Sequence, residues 1–157
     1  MAPALRLAKD ELWRLRGFGQ LRGPGELWLL ARVSAFGALV PLLMRLPLPR
    51  LARLVTRPVA FPAPSAAEVE RLERLVALAP RLARPLVRTG CLTRGVTLFW
   101  FLRRAGLDVE LRFGIDPAGV ADGHCWLTLD GEPFLERRDP RPHFTETYRL
   151  PLPPSPA

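Results

Sequence analysis

The chain has 157 residues, 48% of them apolar, and its 23 Lys and Arg against 15 Asp and Glu give a formal charge of +8. This is one domain's worth of chain, able to bury its own core, and its composition excludes collagen, coiled coil and a wholly disordered polymer. The charge comes from 22 Arg and one Lys spread along the whole length, without the aromatic or Gly-rich patterns of a nucleic-acid binder, so no nucleic-acid partner is expected.

Cys91 and Cys125 are the two cysteines, and no CxxC spacing occurs. That is no disulfide framework, and a reducing compartment is the default. The N-terminus MAPALRLAKDELWRLRGFGQ lacks the apolar core and cleavage site of a signal peptide, so a cytoplasmic location is expected. The longest uncharged run, Val33 to Met44, has 12 residues, short of the roughly 18 that argue a membrane span. Contact of the apolar, basic stretch from Leu27 to Val55 with a membrane surface stays as a minor alternative.

In chain order, residues 1 to about 25 are mixed and end in the turn LRGPGE. From Glu26 a buried helix is expected, broken at Pro41 or at the RLPLPR turn around Pro47 and Pro49. Ser65 followed by Glu68 forms a capping-box start. The helix after it carries Val69, Leu72, Leu75, Val76 and Ala79 on one face and should end near Pro80, with a short further turn over Leu82 to Val87. A helix follows from Cys91 to Arg104, apolar on nearly all sides and closed by Gly106. The period then changes to two: DVELRFGI, HCWLTL and EPFLE read as strands, with an Asp130-Gly131 turn between the last two. Beyond Asp139 the chain is Pro-punctuated. The expected division is an N-terminal helical subdomain over 1–60, a catalytic core over 61–150 and a disordered tail over 151–157.

Cys91 heads a helix, where exposed N–H groups and the positive dipole end favour thiolate. An imidazole nearby would favour it further, and a carboxylate behind that imidazole would fix its tautomer and orientation. His124 and Glu136 have the residue types and chain order for these roles. Whether they meet depends on the turn. A two-residue type I′ turn pairs Leu129 with Glu132 and sends Glu136 to the opposite side of the sheet. A three-residue loop with Gly131 in a G1 bulge pairs Thr128 with Glu132 and puts His124 opposite Glu136. The sequence permits both. Cys125, next to His124 on a strand, should point to the other face and away from Cys91. A zinc site from Cys91, His124, Cys125 and His143 lacks paired ligand spacing, and no metal or cofactor is expected. His143 lies in a charged, Pro-flanked segment and should be exposed. Trp126 shares the His124 face, as a shield for the imidazole or a core residue. Arg94, one turn into the helix, is either a substrate clamp or an ion-pair partner of Glu136 or Asp139.

GCLTRGVTLFWFLRRAGLDVELRFGI followed by GHCWLTLDGEPFLE resembles the transglutaminase-like domain of lasso-peptide B-type proteins, the leader peptidases of microcin processing. Cys91, Arg94, Arg103, Arg104, Gly106, Gly114, His124, Trp126, Gly131 and Glu136 match in order, over roughly Pro80 to Glu136. Cys125 stands where that family commonly has Ala, and Glu136 where Asp is common. The resemblance implies an α+β fold with a transglutaminase-like or papain-like core, an N-terminal helical subdomain, a central Cys-headed helix and a small antiparallel sheet. It implies Cys91 as nucleophile, His124 as general base and acid, and Glu136 as orienting acid; Arg94 and Trp126, from their places on the helix and the His124 strand, are the expected substrate-binding residues. The implied reaction is removal of the leader from a ribosomally made precursor peptide through a thioester. The implied partners are that peptide, a separate leader-recognition protein and a lasso cyclase that uses ATP. A non-catalytic peptide-binding scaffold of the same fold, or acyl transfer to an amine, are the alternatives.

Overall fold

The computed structural model describes residues 23–56, 62–83, 86–87, 89–118 and 123–151. Of the expected turn LRGPGE only Leu21 and Arg22 lie outside the described residues; its Pro24, Gly25 and Glu26 are instead the first turn of a helix, with the proline at a position where its missing N–H costs nothing. The expected tail lies outside the described residues from 152 on. Among the described residues are four helices: α1 (Pro24–Leu43), α2 (Leu48–Val55), α3 (Ala66–Leu82) and α4 (Cys91–Arg104). Four strands follow, β1 (Val109–Ile115), β2 (Gly123–Leu129), β3 (Glu132–Phe134) and β4 (Thr145–Leu150). They form one antiparallel sheet in the order β3-β2-β1-β4. The fold is α+β, as expected.

Local chemistry sets most of these boundaries. Ser65 and Glu68 close both halves of a capping box: Ser65 N–H donates to Glu68 Oε2 at 2.8 Å, and Glu68 N–H to Ser65 Oγ at 3.4 Å. The first helix breaks at the RLPLPR turn, the second of the two expected places, and the helix after Ser65 ends close to Pro80. α1 runs through Pro41 to Leu43, and α3 through Pro80 to Leu82. Each proline lies in a last turn, and its helix ends two residues later, as expected where a proline removes a backbone hydrogen bond and crowds the carbonyl four residues back. α4 ends in a Schellman motif, with Gly106 at φ +93° and N–H groups of Gly106 and Leu107 donating to the carbonyls of Arg103 and Leu102.

α4 is the central element. Val96, Leu98, Phe99 and Leu102 are buried between α1 and α3 on one side and β1 and β2 on the other. The apolar all-round pattern follows from that double packing. The sheet turns Val109, Leu111, Cys125, Leu127 and Leu150 inward, joining one apolar cluster with Leu30, Val33 and Val40 of α1, Leu51 of α2 and Leu75 of α3. Glu26, buried at the head of α1, is held by Arg71 and Arg74 of α3. α1 is long and apolar enough to cross a membrane by length and hydropathy, which its 12-residue uncharged run did not suggest. Leu27, Trp28, Leu39 and Leu42 are exposed on one side while the other side is core.

The outer sheet face is polar near its middle, where Arg112 reaches Glu110 and Glu146 at 2.6 Å each and Thr128 Oγ1 at 3.1 Å. At its His124 end the chain folds back over it, with Phe144 packed on the imidazole. β4 was not read from the sequence. Its inward residues Tyr148 and Leu150 do alternate, but Pro140, Pro142 and Pro151 around it hide so short a pattern.

Candidate active site

The Asp130-Gly131 turn settles the register. Asp130 has φ +52° and Gly131 φ +84°, both left-handed, and Leu129 pairs with Glu132. This is the two-residue turn of type I′. A straight β3 would then carry Glu136 to the far side of the sheet. It is not straight: β3 ends at Phe134, and Leu135 takes φ +57°, turning the chain. Glu136 swings back, and its Oε2 lies 3.9 Å from His124 Nε2. The acid behind the imidazole therefore comes from a strand break, not from the three-residue loop.

Arg94 holds that break in place. Its guanidinium donates to Glu136 Oε1 at 3.1 Å and to the Leu135 carbonyl at 2.5 Å, and pairs with Glu73 Oε1 of α3 at 3.1 Å. The ion-pair reading of Arg94 is the one that this geometry supports. Burial raises the Glu136 carboxyl pKa above the usual carboxylate range, with Arg94 and His124 pulling the other way.

The same break exposes an edge of β2. In a hairpin closed by a two-residue turn, Leu129 and Glu132 are a hydrogen-bonded pair, as are Leu127 and Phe134, and residues 125 and 136 would be next. With β3 gone, the Cys125 N–H and the Gly123 carbonyl face outward from β2 without a strand to meet. Cys91 fills that place, its Sγ 3.9 Å from the Gly123 oxygen. Its thiol is drawn down to about 4, chiefly by a hydrogen bond from the Cys125 thiol against the opposing effect of burial, and further by the Cys125 backbone N–H and by His124. Cys125, buried, has its own pKa pushed up by its bond to Cys91 and by burial, and stays a thiol.

The expectation that Cys125 faces away from Cys91 is thus corrected. Cys91 does not lie over one face of the sheet. It sits at the edge of β2, where His124 from one face and Cys125 from the other can both reach it. The close approach needs Gly95 one turn into α4, where an added Cβ would lie 2.9 Å from Cys125 Sγ. Both cysteines are free.

A cleft of about 750 Å³ opens over Cys91, His124 and Glu136, and a smaller cavity of about 330 Å³, bordered by Val33, Gly37, Val76 and Thr97, reaches Cys91 from its other flank. A thiolate at a helix head, an imidazole beside it and a carboxylate behind that imidazole are the parts of cysteine acyl transfer. The family model for the transglutaminase-like superfamily matches residues 35–149. The chain belongs to the transglutaminase-like superfamily. No curated protein and no solved structure matches it significantly. The superfamily includes cysteine peptidases, and membership agrees with cysteine peptidase or acyl-transfer chemistry.

Within this transglutaminase-like domain the remaining expected residues fall as follows. Trp126 is 2% exposed, does not border the cleft, and stacks on His124 with ring centroids 6.2 Å apart. Of the two roles expected for it, shield or core residue on the one hand and substrate contact on the other, its burial and stacking favour the first, since Phe144 of the returning chain also packs on the imidazole. His143 is exposed, as expected, and borders the cleft. Among the described residues no three His, Cys, Asp or Glu side chains gather as a metal site. Sequence reasoning missed Cys125 as a donor, Glu73 as a partner of Arg94, and Leu135 as the pivot. Only Cys125 left a trace, standing where the resembled family commonly has Ala.

Proposed function

We propose that this chain is a cysteine peptidase that removes the leader from a ribosomally made lasso precursor peptide. The observation that carries this reading is the Cys91 sulfur at the head of α4 and the unfinished edge of β2, sharing a cleft with His124, with Glu136 Oε2 3.9 Å behind the imidazole; Cys125 and His124 draw the thiol pKa down and so favour the thiolate. Cys91 attacks the carbonyl at the leader-core junction. The Cys91 backbone N–H at the start of α4 is placed to receive the oxyanion. His124 protonates the leaving amine, which departs as the core peptide. Water, deprotonated by His124, then attacks the thioester and releases the leader as a carboxylic acid. Glu136 keeps the imidazole oriented and balances its charge in both halves.

The lasso assignment rests on the motif resemblance. It brings with it two further partners, a separate leader-recognition protein that presents the peptide and a cyclase that consumes the product with ATP. The test is incubation of a lasso precursor peptide with and without a recognition protein, with products weighed by mass spectrometry. Two fragments that sum to the precursor plus one water are expected from the wild type and none from Cys91→Ala. Cleavage that survives in Cys91→Ala overturns the proposal, and a product joined to an added amine would replace hydrolysis with transfer.

A further inference from the structure

The cleft over Cys91 has an uneven charge. Three acidic residues border it, Glu73, Glu136 and Asp139. Arg94 takes the first two, each at 3.1 Å. Arg141 takes the third, at 2.8 Å, and also bonds Glu132. Every acid in the cleft is therefore matched inside the fold. The bases are not. Arg137 and Arg138 border the same cleft, are exposed, and form no ion pair among the described residues. They follow Glu136 directly, so their backbone is fixed next to the His124–Glu136 contact by the same Leu135 turn that Arg94 holds.

Two guanidiniums left unpaired beside a nucleophile, in a cleft whose own acids are consumed, suit a carboxylate supplied from outside. Arg presents planar paired donors that match that group. We infer that the cleft selects a peptide carrying an acidic side chain close to the bond that is cut, with Arg137 and Arg138 as its specificity-determining residues. This rests on the reading of Cys91 as the peptidase nucleophile and adds the substrate's charge to it. The two arginines do no chemistry. They raise the local concentration of an anionic chain and hold it, an effect that salt weakens.

Two alkylating reagents separate this inference from the reading beneath it. Iodoacetamide is neutral and reports the reactivity of Cys91. Iodoacetate carries a carboxylate bonded directly to the reacting carbon and reports, in addition, what the cleft does to an anion. The full chain, its Arg137→Gln/Arg138→Gln double variant and the corresponding double Lys variant are treated with each, and modification at Cys91 is followed by mass. The iodoacetate-to-iodoacetamide rate ratio should fall about tenfold in the Gln variant at low salt. It should be kept largely by the Lys variant, and the difference should shrink toward about 1 M salt. The iodoacetamide rate alone should be the same in all three. An equal ratio in wild type and the Gln variant, with fast iodoacetamide labelling in both, overturns the charge inference and leaves Cys91 as nucleophile. Slow iodoacetamide labelling of Cys91 in the wild type overturns both. With a precursor peptide as substrate, replacing the acidic residues flanking the cut by their amides should raise KM in the wild type and leave it unchanged in the Gln variant; a KM that rises equally in both counts against the arginines.

Discussion

β4 follows β1 from the Leu111–Leu150 pair to the Ile115–Thr145 pair, absorbing an irregularity at Phe113 and Gly114 without leaving it, whereas β3 accompanies β2 for three residues and departs. Both are outer strands of one sheet, and both contribute to its stability. The β4 side is regular: Glu146 joins Arg112 of β1 at 2.6 Å, and among the described residues neither cysteine borders it. The β3 edge is unfinished, and the site lies there. A complete β3 would have spent the Cys125 N–H and the Gly123 carbonyl on ladder bonds. Stopping it after Phe134 leaves them for Cys91 and brings Glu136 round to His124. The candidate catalytic groups are gathered where the regular pattern of hydrogen bonds is interrupted, and the interruption is held by a charged side chain, Arg94, that belongs to neither strand.

If the unfinished edge is what organises the site, the strongest blow short of removing Cys91 is to the acid that returns there. Glu136→Gln should lower kcat/KM by about 10²- to 10³-fold. It should also move the acid limb of the pH profile. Glu136 works ionised and its pKa is raised, so wild-type activity should fail as pH drops through that raised value. The variant, lacking this group, should keep its residual activity down to the Cys91 limb near 4. A profile of unchanged shape would detach Glu136 from His124.

Next in size is the pivot. Leu135→Val places a β-branched residue at φ +57°, where it is strained more than the leucine already there; an added cost of about 1 kcal/mol would reduce cleavage about fivefold. Leu135→Gly accepts the same φ and should keep the turn, so the pair of variants distinguishes conformation from lost side-chain contact. Equal activity in both would argue that β3 can run on without harm.

Cys125→Ala should act more mildly and on one quantity. Losing a donor to the thiolate favours the thiol, so the midpoint of Cys91 alkylation against pH should rise from about 4 by about one unit. Rates well above that midpoint should hold. An unmoved midpoint would leave the backbone N–H and His124 as the whole cause. The smallest effect belongs to the β4 side. Glu146→Ala removes one partner of the half-exposed Arg112 pair and should cost about 0.2–1 kcal/mol in thermal or denaturant unfolding, with alkylation of Cys91 unchanged.

The candidate site was partly legible. Cys91 at a helix head could be read because capping, apolar density and the closing Gly106 are local signals, and His124 because a strand of HCWLTL is equally local. For Glu136 the sequence leaves two turns open, and only the bulged loop puts it opposite His124. The residue count to His124 suited a bulged loop, and the observed I′ turn reaches the same contact through Leu135, whose left-handed backbone no residue type announced. The alternation of strand faces points Cys125 away from Cys91 only if Cys91 lies over a face, and it lies at an edge. β4 stayed hidden because its six residues are flanked by prolines.

By itself the sequence determined what short-range chemistry determines: where Ser65 starts a helix, where Gly106 ends one, which residues alternate into the core, and that a cysteine, a histidine and an acid stand in workable order. Whether those three meet was a matter of tertiary structure. Arg94 from α4 and Glu73 from α3, distant in sequence, fix the turn at Leu135, and the apolar packing of α4 on β1 and β2 sets Cys91 at the height of the vacated edge. Hydrogen bonds and burial between segments far apart in the chain have no local signature, and so the edge, the donor at Cys125 and the return of Glu136 became visible only in the folded molecule.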